Sequence, residues 1–103
     1  MGRDDRAVAI TEDIKHVLGV LNMRYPNWVP GETVFRTVLS VSTDYTKQRC
    51  RRDLSYLNEK GYVKFKGLYG VDAMAIAVND CAFCLTEKGF EIANRLVADQ
   101  ALE

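Results

Sequence analysis

What this sequence has little of narrows its chemistry before anything else. Among 103 residues there is one histidine, His16, with two prolines, one tryptophan and three cysteines. Nucleophilic and general-base catalysis usually draws on histidine, and His16 falls beside the apolar face of an expected first helix, where a structural role suits it. The sequence has no GxSxG-type elbow and no phosphate-cradling glycine loop, so no enzyme is expected. Structural zinc takes four ligands. Cys81-x-x-Cys84 has no second such pair, and His16 and Cys50 would have to complete a site. A redox CxxC belongs at a helix N-terminus, where the thiol pKa falls, whereas this pair sits on an expected strand with its side chains on opposite faces. The cysteines therefore read as small buried thiols, and neither a metal nor a cofactor is expected. An odd cysteine count without framework spacing points to a reducing cytoplasm. No apolar run approaches the ~18 residues of a membrane span, and the opening MGRDDR begins no secretory signal.

The net charge is also zero, which excludes a uniformly basic nucleic-acid coat. Its placement is uneven. Between Tyr45 and Lys66 lie seven basic residues and two acidic ones, a balance of +5, which leaves −5 for the rest of the chain. Such a segment can meet phosphates locally while the acidic remainder orients the molecule. With 48% hydrophobic and 27% charged residues, the sequence reads as one soluble domain over 1–103.

The stretch 42–63 organises the chain. Ser42, Thr43 and Asp44 are residue types that cap a helix N-terminus, and Gly61 suits the left-handed position that ends one. Cys50, Leu54 and Leu57 recur at i, i+4 and i+7, one apolar stripe. At about 100° per residue, Tyr45, Gln48, Arg52, Ser55 and Glu59 centre on the opposite side. Arg49 and Tyr56 lie on one flank, Lys47 and Arg51 on the other. Such a front suits the major groove, where Arg pairs bidentately with guanine and Gln with adenine. Charged residues opposite an apolar stripe are equally what any solvated helix shows.

Residues 1–6 read as a frayed end. A first helix is expected over 7–24, with Ile10, Ile14, Val17, Leu18, Leu21 and Tyr25 on one apolar face. Pro26 breaks it, and Trp28 and Val29 are expected to plug the core. Pro30 starts a second helix to about Leu39, burying Val34, Phe35, Val38 and Leu39. A short turn then leads to the central helix, so that 30–60 reads as a helix-turn-helix. Tyr62 to Lys66 alternate as a strand. The apolar run 73–78, AMAIAV, fits a strand or a helical turn, and Asn79-Asp80 is a turn signal. Cys81, Phe83 and Leu85 share one face of a second strand, 81–85. Thr86 caps a last helix over 87–102, with Phe90, Ile92, Ala93, Leu96 and Val97 on its apolar side. The class is mainly α with a small β-hairpin (α+β), in the order helix-helix-helix-strand-loop-strand-helix.

Leu54-x-x-Leu57-x-x-x-Gly61-Tyr62-Val63, followed by Cys84-Leu85-Thr86-Glu87-Lys88-Gly89, resembles the winged helix-turn-helix family of bacterial and phage DNA-binding regulators. The resemblance covers about two-thirds of the chain. It implies that 42–60 enters the major groove and 62–86 forms the wing. By matching positions, Thr43, Tyr45, Thr46, Lys47, Gln48, Arg49 and Arg52 would face the groove. Lys47, Arg51, Lys60, Lys64 and Lys66 would hold phosphates. Two departures stand out. Residues 67–80 carry no Lys or Arg but include Asp72 and Asp80, and AMAIAV is apolar for an exposed wing. The leading expectation is sequence-specific binding of double-stranded DNA by a small regulator, a homodimer joined through its terminal helices. The alternative is a winged-helix module for protein–protein contact, using the apolar loop.

Overall fold

The computed structural model describes residues 11–70 and 72–102, with side chains as far as Arg95. The frayed end at 1–6, the helix start at Ala7, the contribution of Ile10 and those of the Leu96 and Val97 side chains lie outside what is described. Among the described residues four helices and a three-stranded antiparallel sheet follow in order: α1 (Glu12–Arg24), β1 (Val29–Pro30), α2 (Gly31–Leu39), α3 (Lys47–Glu59), β2 (Val63–Gly67), β3 (Cys81–Leu85) and α4 (Glu87–Leu102). The α+β class is as expected. The strand β1 was not foreseen, because two residues are too few for a periodic signal.

Local chemistry fixes the helix ends. The Thr11 side chain accepts from the Ile14 amide at 3.2 Å on an extended backbone, so α1 begins at Glu12 and does not run unbroken from Ala7 as expected. Pro30 stands at the N-cap of α2, where its missing amide is no loss. At the start of α3 the cap is Thr46, not the Ser42-Thr43-Asp44 run. Thr46 is extended (φ −125°, ψ 160°) and its hydroxyl accepts from the Arg49 amide at 3.1 Å. Ser42 to Tyr45 instead form a turn, closed by the Tyr45 amide on the Ser42 carbonyl at 3.0 Å. The far end is a Schellman closure. Gly61 is left-handed (φ 82°), its amide donates to the Asn58 carbonyl (3.0 Å), and the Tyr62 amide donates to the Leu57 carbonyl (2.9 Å). The Thr86 hydroxyl then ties two ends together, donating to the Gly61 carbonyl at 2.6 Å and accepting from the Gly89 amide at 3.1 Å.

In the sheet, β3 is central, in the order β1-β3-β2. Register pairs Val63 with Leu85, Phe65 with Phe83, Lys64 with Cys84 and Lys66 with Ala82, while Val29 pairs with Phe83. Because side chains alternate along a strand, Val63, Phe65, Cys81, Phe83 and Leu85 face the helices. They close a core with Val17, Leu18 and Leu21 of α1, Val34 and Val38 of α2, and Cys50, Leu54 and Leu57 of α3. Each fully buried Leu, Val or Phe contributes about 1.5–3 kcal/mol of transfer free energy. The apolar stripe read on α3 is therefore the one that is buried. Val29 plugs the core as expected, but Trp28 does not: it is 36% exposed, on the outer face of the sheet. Residues 73–78 form neither a strand nor a helix. Ile76 and Val78 bury themselves against the body, while Met74 is 96% exposed. No described helix is long and apolar enough to cross a membrane.

Candidate nucleic-acid interface

Cap and stripe together orient α3. With Cys50, Leu54 and Leu57 inward, Lys47, Gln48, Arg51 and Arg52 are left exposed on one front at its N-terminal half. The Arg52 side chain is 72% exposed, with its Nε 3.9 Å from the nearest Asp53 oxygen. Lys47 sits over the Phe35 ring at 5.7 Å. The Arg51 Nε donates to the Ile76 carbonyl at 3.0 Å, so the loop after β2 is fastened to the helix. Between them lies a cleft of about 570 Å³, walled by Lys47, Gln48 and Arg51 on one side and residues 76–80 on the other. Thr43 is exposed in the turn preceding the helix.

Other expected groove residues are placed elsewhere. Tyr45 is buried, 3% exposed, and its hydroxyl donates to Asp53 Oδ2 at 2.9 Å. The 100° rule that set it on the exposed front does not reach back past Thr46, where the backbone is extended rather than helical. Thr46 spends its hydroxyl on the cap. Arg49 is half-buried and turned to α1, where it pairs with Asp13 and donates to the Asp44 carbonyl at 3.0 Å. Ser42 Oγ joins this knot by donating to Asp13 Oδ1 at 3.3 Å. Arg49 thus braces α3 on α1 rather than presenting a free fork. Lys60 is the C-cap, about 20 Å along the axis from Lys47, with its ammonium 5.6 Å from the Tyr56 ring centre. Lys64 and Lys66 point away from the helices, and both ammoniums stand over Trp28, at 5.5 and 4.5 Å. The eleven residues therefore do not converge on one surface.

Behind the exposed front lies a buried polar cluster. Asp53, 4% exposed, shares the buried side of α3 with Cys50. Burial raises its carboxyl pKa above the ordinary aspartate range, and the Tyr45 hydroxyl offsets part of that. The Tyr45 pKa is itself raised by burial, and burial pushes the Cys50 thiol up to about 11. A carboxyl whose pKa is raised on folding costs stability as it ionises. Between the ordinary aspartate value and the raised one the folded chain holds the extra proton, so stability falls as pH rises across that window. Asp53→Asn removes this contribution. Urea unfolding at several pH values should show the variant gaining on the wild-type protein as pH rises through that window, and a pH-independent difference would refute the assignment.

Cys81, Cys50 and Cys84 are free and buried. Cys81 Sγ accepts from the Ala77 amide at 3.5 Å, while Cys84 Sγ donates to the Pro26 carbonyl at 3.3 Å on the other side of the sheet. Among the described residues no group of three or more His, Cys, Asp or Glu side chains is placed to hold a metal ion. His16 differs from the expected satisfied side chain: its Nδ1 is buried with no hydrogen-bond partner among the described residues. Comparison with known proteins finds no matching family model, no matching curated protein and no matching solved structure.

Proposed function

We propose that the chain binds double-stranded DNA by laying α3 in the major groove, in a winged-helix arrangement, as a small prokaryotic or phage transcriptional regulator. The observation that carries this reading is the single exposed front of Lys47, Gln48, Arg51 and Arg52 on a helix whose opposite stripe, Cys50, Asp53, Leu54 and Leu57, is buried. Gln48 and Arg52 have the hydrogen-bonding groups to read adenine and guanine edges, and Lys47 and Arg51, together on one flank of the same front, supply cations for phosphates. The succession α2, short turn, α3 agrees with a helix-turn-helix. A homodimer through the terminal helices belongs to the same reading.

Fluorescence anisotropy of labelled random duplex, titrated at several salt concentrations, tests the proposal. Two to four phosphate contacts predict a slope of log affinity on log salt of about −2 to −4. Affinity independent of salt, or no binding at low salt, would remove the support for a groove-reading helix. The second reading, a protein–protein module, rests on the loop after β2. That loop leaves Tyr69 and Met74 almost fully exposed and carries no basic residue between Gly67 and Asp80.

A further inference from the structure

Trp28, Lys64 and Lys66 make a second surface, on the side of the sheet away from α3. Continuing the β1–β3 register sets Trp28 beside Cys84, so its ring reaches the lysines of β2 by crossing the central strand. The two side chains it crosses, Ala82 and Cys84, are small, and both are buried. The ring remains more than a third exposed, with ammonium groups 4.5 and 5.5 Å from its centre. Neither lysine has a carboxylate partner among the described residues.

We propose that this outer face binds single-stranded nucleic acid, with one base stacked on Trp28 and neighbouring phosphates held by Lys64 and Lys66. Two cations sharing one ring repel each other, and an anion placed between them relieves that repulsion. Residues two apart on a strand are spaced by about 6.6 Å, the same order as successive phosphates along an extended strand. An aromatic platform flanked by cations is the arrangement that takes unpaired bases, since any base offers a π-face for stacking. A duplex hides those faces within its own stack and offers only edges and phosphates, which a flat sheet surface cannot follow into a groove. The site is independent of the duplex-reading front on α3, which lies on the opposite side of the sheet.

Trp28 is the only tryptophan in the chain, so its emission reports on this face alone. Titration with a twelve-residue oligothymidylate at low salt should quench that emission saturably. The affinity should fall with salt at a slope of about −1.4, two contacts at the single-strand value. Lys64→Gln with Lys66→Gln should weaken it at least tenfold, and Trp28→Ala should do the same when binding is read by anisotropy of labelled oligonucleotide. Arg51→Ala with Arg52→Ala should leave the quenching unchanged while impairing duplex binding, which separates this site from the α3 reading. Circular dichroism establishes that each variant is folded. The proposal is overturned if folded protein shows no quenching at low salt, if the lysine variant quenches as the wild type does, or if a duplex of equal length quenches equally. That last result would make the face part of a duplex contact instead.

Discussion

Gly31→Ala and Gly89→Ala should each destabilise the domain by about 3 kcal/mol or more, at or beyond the upper end of overpacking costs. Both glycines are needed for space. A Cβ on Gly31, the first residue of α2, would lie 2.0 Å from the Val78 carbonyl oxygen and 2.9 Å from the Phe83 ring. Val78 and Phe83 are buried, so neither can swing aside into solvent. A Cβ on Gly89 would lie 1.9 Å from the Tyr62 carbonyl oxygen and 3.2 Å from Leu85. That carbonyl accepts the Thr86 amide at 3.0 Å, so displacing it loosens the joint between α3, β2 and α4. Gly19 is the control with the opposite sign. It lies within α1 with nothing within 4 Å of the added Cβ among the described residues, and Gly19→Ala should stabilise by up to about 1 kcal/mol. Urea unfolding followed by circular dichroism measures all three. Midpoints for Gly31→Ala and Gly89→Ala within error of the wild type would mean the close approaches are not as described. Since a domain of this size carries about 5–15 kcal/mol in total, either change would remove a large share of it.

Gln48→Ala and Arg52→Ala should each reduce affinity for a selected duplex site by about 1–3 kcal/mol and relax the preference at one base pair. Lys47→Ala should weaken binding to all duplexes alike and lower the salt slope by about one unit. Arg49→Ala should behave differently from all three, since its guanidinium is committed to Asp13 and Asp44. Its loss leaves the Asp13 carboxylate uncompensated and half-enclosed, which lowers stability rather than altering base preference. Site selection on each variant, with unfolding curves alongside, separates these effects. If Arg52→Ala retained both affinity and preference, α3 would not be reading bases through its front.

Much of the fold was legible because it rests on periodicity and on glycine. The stripe of Cys50, Leu54 and Leu57 fixed which side of α3 is buried. Gly61 and Thr86 fixed where α3 ends and α4 begins. The candidate interface was legible only where α3 is regular. Tyr45 was misplaced because a helical projection was carried across a cap with extended backbone. Asp53 was given no place although the same projection held the signal: three residues beyond Cys50 puts it about 60° from the stripe. What hid its burial was the partner, since the Tyr45 hydroxyl comes from outside the helix. Arg49 was hidden likewise, because its carboxylate stands in α1, 36 residues earlier. Trp28 could not be placed from pattern at all. A two-residue strand gives no alternation from which to tell inside from outside.

Among the described residues the strand order also leaves β2 with one free side. The Asn58 side chain caps the first carbonyl on that side, donating to Val63 at 2.9 Å, but the open amides and carbonyls beyond it are a template on which another chain can add a strand, and the other edge, β1, is too short to serve as one. Along β2 the alternation Val-Lys-Phe-Lys turns its apolar side chains to the core and sets a charge at every outward position. Two molecules approaching β2 against β2 would bring four ammonium groups together as their backbones paired. The lysines that face Trp28 are therefore also gatekeepers against edge-to-edge aggregation, and a variant lacking both has lost part of what keeps the domain from self-associating.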